Sequence, residues 1–373
     1  MPWIHFHVGE RGQVNACCVA NIPYGNVNQS SFDDIWNGEA INDLRSKFSV
    51  GKADPRCAVC LNREKGGASS IRLETFEKYG REIPDRTRYP RYFDIRFSNV
   101  CNFRCRTCWH GASSKWFNDA VQLKRQASKQ AIIKNIKDLD RFLFDFGDAL
   151  LFAEEIYFAG GEPLVTNEHY LLLEWLIEQK VFPRLRYNTN FSILRFKDWD
   201  IIELWSNFKD VEVLASIDAH EQLGEYIRKE LDWELFLSNI ERLKAGAKHV
   251  NIKIAPTISM LNIMAIPSFY DYCLEQEIIE PDDWYINLLE RPYYYNIRAL
   301  PQSEKKKVRK LYEKWIEKKE NDKLSKTMIK AMSEILTFME SEDLSKHYSN
   351  FQKETNILDK IREEEYSRVR LKQ

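Results

Sequence analysis

The chain has 373 residues, 44% of them hydrophobic and 30% charged, with a formal net charge of -1. That length supports a sizeable core with appendages, and the balance excludes a disordered or collagen-like chain. Near-neutrality argues against bulk electrostatic binding of nucleic acid or anionic membrane, and no run approaches the roughly 18 apolar residues of a bilayer span. The start, Met1-Pro2-Trp3-Ile4-His5, lacks the basic and apolar regions of a secretion signal, so a cytoplasmic protein is expected.

The first segment, residues 1–90, opens with a predicted strand at Trp3–His7 and a turn across Gly9 to Gly12, followed by Cys17-Cys18. Ser30 or Ser31 can cap a short helix through Phe32, Ile35 and Trp36, and the apolar spacing continues through Ile41, Leu44 and Phe48. The segment closes on Cys57-Ala58-Val59-Cys60. A loop-rich piece with four cysteines and little core calls for a metal to hold it together.

The middle, residues 91–295, alternates the two kinds of element. Strands are predicted at Tyr92–Phe97, Glu155–Phe158, Arg184–Asn188, Glu212–Ile217, Asn251–Ile254 and Trp284–Leu288, and helices at Tyr170–Gln179, Asp198–Trp205 and Trp233–Ala245. Strands spaced by helices imply right-handed crossovers and a parallel sheet, so the fold class is α/β. Six such units would make a partial barrel with its chemistry at the carboxyl ends of the strands. Residues 296–373 form a helical C-terminal region. Within it Ser303–Lys326 is rich in Lys and Glu with Val308, Leu311, Tyr312 and Trp315 at helical spacing, the pattern of a solvated amphipathic helix packed on the barrel.

Seven of the eight cysteines lie in the first 108 residues, and Cys273 stands alone as an expected buried, apolar side chain. In a reducing cytosol such clusters are metal ligands or redox groups before they are disulfides. Cys101, Cys105 and Cys108 spell C-x3-C-x2-C directly after a predicted strand. Three thiolates on one tight loop can hold three irons of a [4Fe–4S] cube and leave the fourth open; a zinc site with a distant fourth ligand is the alternative. Gly160-Gly161, after the second middle strand, allows a backbone to approach a ligand closely. His110 and His169 read as polar surface residues, and His220 could face the barrel mouth.

The cysteine loop, its strand and Gly160-Gly161-Glu162-Pro163 together resemble the radical S-adenosylmethionine (radical SAM) superfamily. The resemblance implies a partial (β/α)6 barrel whose open iron chelates the amino and carboxylate groups of SAM. It implies reductive cleavage of SAM to methionine and a 5′-deoxyadenosyl radical that abstracts a hydrogen atom from substrate. It places the Gly160–Pro163 element at SAM, with Glu162 receiving the ammonium. It also places Asn188, with Thr189 and Asn190, near the ribose or methionyl group, Ser216 and Asp218 near SAM, and Arg228 on the SAM carboxylate; Thr257, Ser259 and Asn262 match more weakly. Thr107 stands where the family carries an aromatic residue, with Phe103 and Trp109 close by.

Upstream, Gly12-x4-Cys17, Tyr24-Gly25-Asn26, Asp34-Ile35-Trp36-Asn37-Gly38 and Cys57-x2-Cys60 resemble the auxiliary modules called SPASM or twitch domains, here placed before the barrel. The resemblance implies a second, auxiliary [4Fe–4S] cluster on Cys17, Cys57 and Cys60, with Cys18 as a further candidate. The module's usual first cysteine would precede Met1: the chain starts late, or Cys18, His5 or His7 replaces it, or one iron is open. A zinc knuckle of similar spacing is the alternative. The implied activity is that of a radical SAM enzyme acting on a peptide or protein, with a flavodoxin or ferredoxin as electron donor. A small-molecule substrate such as a sugar or nucleoside, and a non-catalytic metal-binding scaffold, are the rival readings.

Overall fold

A computed structural model describes residues 1–52, 54–65, 70–80, 88–321 and 326–370. The chain divides into two compact units that interleave along the sequence. One holds Met1–Val100, Ile132–Asn188 and Arg195–Val211, the other Cys101–Ala131, Thr189–Leu194 and Glu212–Gln373.

In the first unit, β1 (His5–Val8) is the hub of a mixed sheet. It pairs antiparallel with β2 (Gln13–Asn15), which pairs in turn with β3 (Pro23–Asn26). On its other side β1 runs parallel to β4 (Tyr92–Ile95), followed by β5 (Glu155–Phe158) and β6 (Arg184–Thr189), all parallel. The N-terminal segment reads from sequence as a separate loop-rich piece; its first strand instead extends the parallel sheet. Period-2 alternation gives this sheet two unlike faces. Phe6, Phe93, Ile156 and Leu185 lie on one face, all fully buried, where Phe6 meets Phe146 of the helix Leu139–Leu150. The other face carries ionisable side chains, described below.

The local signals are legible in the sequence. Ser31 closes a capping box with Asp34 at the head of the helix Phe32–Trp36, and Trp36 and Ile35 are buried beneath it. The helix Asn167–Glu178 buries Tyr170, Leu172, Leu173 and Leu176. His169 is fully buried rather than at the surface, boxed between Phe158, Tyr170 and Tyr187.

The second unit contains all but the first residue of the strand Val211–Ala215, its neighbour Val250–Ile254 and most of the helices. Asp232 caps the helix Trp233–Gly246, whose Trp233 and Phe236 are stacked and buried. The last expected strand is broken. Trp284 makes one bridge to Ile254 and then turns its ring between Phe269 and Tyr270, leaving only Asn287–Leu288 to pair with Thr257–Ile258. The Lys- and Glu-rich helix spans Gln302–Asn321, and the remainder of its expected range up to residue 325 falls outside the described residues. Val308 and Tyr312 are buried, each contributing on the order of 1.5–3 kcal/mol, and Tyr312 Oη donates to the Ile263 carbonyl. Helices Lys326–Glu340, Tyr348–Arg362 and Tyr366–Arg370 complete the unit.

Candidate functional site

The loop Cys101–Cys108 belongs to the second unit and is tied down at nearly every residue. The Cys101 N–H donates to Ser114 Oγ at 3.2 Å and the Phe103 N–H to Cys101 Sγ at 3.4 Å. The Arg106 N–H donates to the Ile227 carbonyl at 2.7 Å, and Trp116 Nε1 to the Cys105 carbonyl at 2.7 Å. A polar chain joins the loop to the segment after β6: Asn190 Nδ2 donates to Asn102 Oδ1, and Asn102 Nδ2 to Ser192 Oγ, both at 2.8 Å. Of the Asn188–Asn190 tip, then, Asn190 is the residue that reaches this loop. Asn188, in the first unit, keeps its side-chain oxygen shielded from solvent without a hydrogen-bond partner among the described residues.

Asp218 and Arg228 form one buried pair in the second unit. Arg228 Nε and Nη2 both lie 3.0 Å from the Asp218 carboxylate, which also accepts the Thr257 N–H at 2.7 Å. The Arg228 fork expected on a SAM carboxylate is therefore engaged by Asp218, while Nη1 points at Cys105 Sγ, 3.8 Å away. Burial raises the Cys105 thiol and the Arg228 guanidinium opposes it; burial also pushes Cys108 up to about 12, with Cys105 adding to it. Ser216 is half-buried, its N–H on the Thr189 carbonyl at 2.7 Å. Asn262 holds the Asp218 and Thr257 carbonyls through Nδ2, and its Oδ1 accepts from Ser259.

Gly160–Pro163 lies in the first unit. Gly160 and Gly161 both have positive φ, +78° and +60°. A Cβ on Gly161 would sit 2.2 Å from the Val100 carbonyl oxygen, and the Glu162 N–H donates to that same oxygen at 2.7 Å. Only glycine permits this backbone to lie against the residue that immediately precedes Cys101. Glu162 is buried, and its Oε1 accepts the Leu164 N–H as it caps the turn Pro163–Val165.

The N-terminal cysteines separate. Cys17, Cys57 and Cys60 line one cavity of the first unit with Leu44, Phe48 and Ile71. The Ala20 N–H donates to Cys17 Sγ at 3.2 Å, and burial raises Cys17 and pushes Cys57 up to about 11. Cys18 does not line that cavity. The residue is exposed, yet burial of its thiol pushes it up to about 12, with the Asp94 carboxylate adding to the rise.

Asp94 sits in a row that sequence reasoning missed. The register His7–Asp94–Tyr157–Arg186 crosses β1, β4, β5 and β6 on the polar face of the sheet. His7 Nδ1 lies 2.8 Å from Asp94 Oδ2, and Arg96 Nε 3.2 Å from Asp94 Oδ1. Burial alone would raise the Asp94 carboxyl, but Arg96 and His7 together hold it below the usual carboxylate range. His5, stacked on Tyr92 at 4.3 Å, is fully buried with both ring nitrogens lacking hydrogen-bond partners among the described residues, and burial pushes it down to about 3. A parallel sheet is ordinarily apolar on both faces, so an ionisable face is a departure from the usual pattern. The alternating strand pattern was the available signal: His5, His7, Asp94 and Arg96 stand at every second position.

All eight cysteines are free thiols. Among the described residues no three His, Cys, Asp or Glu side chains close into a metal-holding cage. Each group is nonetheless gathered on one loop or one cavity. The peptide N–H groups on Cys17 and Cys101 and the guanidinium on Cys105 are the hydrogen bonds that suit ligand thiolates of an iron–sulfur cluster. The glycine backbone at Val100 and the unsatisfied Asn188 oxygen suit a bound polar cofactor. The residues present fit the groups the sequence implies.

Comparison with known families gives two matches. Residues 95–270 match the model described as the radical SAM superfamily. This stretch is a radical SAM domain. Residues 1–61 match SPASM, the iron-sulfur cluster-binding domain, so the SPASM domain precedes the radical SAM domain in this chain. Its cofactors are accordingly SAM, a [4Fe–4S] cluster and an auxiliary iron–sulfur cluster. Solved structures similar to this radical SAM protein include Streptococcus suis SuiB bound to precursor peptide SuiA, at 16% identity and TM-score 0.41 over 75% of this chain and 60% of that one. Native anSMEcpe with bound AdoMet is similar at 18% identity and TM-score 0.40, over 60% of this chain and 58% of that one. The chain thus spans about three-fifths of the length of these structures. No helix of the described residues is long and apolar enough to cross a membrane.

Proposed function

We propose that this radical SAM enzyme modifies a peptide or protein. Residues 91–295 would form the catalytic domain, residues 1–90 the auxiliary module and residues 296–373 a helical support. When bound, the catalytic cluster supplies the electron that splits SAM into methionine and a 5′-deoxyadenosyl radical, which takes a hydrogen atom from the substrate. Cys101, Cys105 and Cys108 are its ligands, and Cys17, Cys57 and Cys60 hold the auxiliary cluster. Gly160, Gly161, Glu162 and Asn188 bind SAM. Asp218 acts by holding Arg228 on Cys105 rather than by offering Arg228 to SAM.

The observation that carries this reading is the contact of Gly161 and Glu162 with the carbonyl of Val100 within the first unit. The peptide class rests on the auxiliary module, because many enzymes with that module act on peptides. The ionisable row of His7, Asp94, Arg96 and Tyr157 is the surface we assign to the substrate. The test is 5′-deoxyadenosine formation under reducing, anaerobic conditions with wild type and Cys105→Ala. Loss of the product in the variant supports the function; retained cleavage contradicts it.

A further inference from the structure

We propose that the C-terminal segment 348–370, which lies beyond the matched domain, is a clamp that sets the geometry of the cysteine loop, with Asp359 and Arg362 as its positioning residues. The proposal rests on reading Cys101, Cys105 and Cys108 as cluster ligands. All of the contacts lie within the second unit.

Arg106 occupies the loop between Cys105 and Cys108, and its side chain is fully buried. Its Nη2 lies 2.5 Å from Asp359 Oδ1 and 2.5 Å from Glu364 Oε2, contacts that span more than 250 residues of chain. The guanidinium stands 3.7 Å from the centre of the Tyr226 ring, and its Nε donates to the Tyr226 carbonyl. Asp359 is held in turn by the Tyr226 hydroxyl at 2.8 Å and the Tyr366 N–H at 2.9 Å. A second strut runs parallel to the first. Arg362 Nε donates to Asp119 Oδ2 at 3.0 Å with Nη2 of the same guanidinium 2.9 Å from that oxygen, Arg104 of the loop shares the carboxylate at 3.1 Å, and the Arg362 guanidinium lies 4.8 Å from the Trp116 ring centre. Trp116 is the residue that donates to the Cys105 carbonyl.

Buried ion pairs are a poor way to gain stability, since desolvation offsets the attraction; what they fix is orientation. Here the fixed object is a loop whose thiols must meet a rigid cluster. Arg106 sets the chain between the second and third cysteines, and Trp116 sets the carbonyl of the second. Without Asp359 the Arg106 guanidinium would be left short of a buried counter-charge and would seek water, carrying Cys105 and Cys108 with it.

The test compares wild type with Asp359→Asn and Arg362→Lys as full-length chains. In the metal-free protein the rate of thiol alkylation by iodoacetamide is read at each cysteine by mass spectrometry. Cys273, fully buried in the same unit, reports global opening. The clamp requires Cys105 and Cys108 to react at least about tenfold faster in Asp359→Asn while Cys273 stays at its wild-type rate. A uniform rise of all three, or no rise, overturns it, the first because Asp359 would then serve only global stability. In reconstituted protein, iron release to a chelator should quicken in both variants. The cluster reading is tested separately by the iron content of Cys101→Ala. If that variant keeps the full wild-type iron while Asp359→Asn still frees the two thiols, the cluster reading fails and the clamp stands.

Discussion

The peptide N–H of Glu162 donates to the carbonyl of Val100 at 2.7 Å, across 62 residues of chain. Both residues belong to the first unit, Val100 as the last residue before Cys101 and Glu162 as the third of Gly160–Pro163. The bond is possible because Gly161 carries no Cβ; an added one would overlap the same oxygen.

Substitution Gly161→Ala is expected to cost about 1–3 kcal/mol from its positive φ alone, before any relief of the overlap with Val100. SAM affinity should fall along with thermal stability. Calorimetric titration of SAM and a melting curve on the same preparation check both effects.

Removing the guanidinium from Arg228 strands the Asp218 carboxylate, which is fully buried. Arg228→Met should destabilise by about 3–5 kcal/mol, whereas the double variant Asp218→Leu/Arg228→Met should recover much of that loss. Denaturant unfolding of the two proteins distinguishes them. Neither should restore wild-type SAM cleavage, because the contact with Cys105 Sγ is gone in both.

Acid should weaken the fold through His5 and His169, each pushed down by burial to about 3. Their folded values lie below the unfolded one near 6.5, so the unfolded chain takes up these protons first as pH falls. Stability is full above about pH 6.5 and declines toward pH 3, by about 1.4 kcal/mol per pH unit for each histidine. In His169→Gln the pH-dependent part of the loss between about pH 6.5 and 5 should be roughly halved, as read by urea unfolding.

Cys17 and Cys18 are adjacent but face different surroundings, and their variants should differ accordingly. Cys17→Ser is expected to lose the auxiliary cluster, about four irons, and Cys18→Ser to keep it. Iron and acid-labile sulfide per chain settle the comparison.

The cysteine loop, the glycine element and most strands were legible because each is a local pattern: C-x3-C-x2-C, paired glycines at a strand end, β-branched and aromatic runs between helices. Ser31 likewise announced its helix as a cap. The role of β1 was not legible, since nothing local says that His5–Val8 pairs with Tyr92–Ile95 in parallel. His169 misled because a histidine near a functional loop reads as polar, and only the ring box of Phe158, Tyr170 and Tyr187 shows it buried. The pairing of Arg228 with Asp218, ten residues earlier, was not legible, because each was read as a SAM contact by itself and no local pattern joins them. The Arg106–Asp359 contact carries no sequence signal at all across its separation.

The central claim is that two separate cysteine groups hold two clusters, one of which cleaves SAM. The measurement that tests it most directly is iron and acid-labile sulfide after anaerobic reconstitution, read with 5′-deoxyadenosine formation, for wild type and a Cys101/Cys105/Cys108→Ala variant. The account requires about eight irons falling to about four, with the product abolished. Iron content unchanged by the triple substitution, or product still formed, would contradict it.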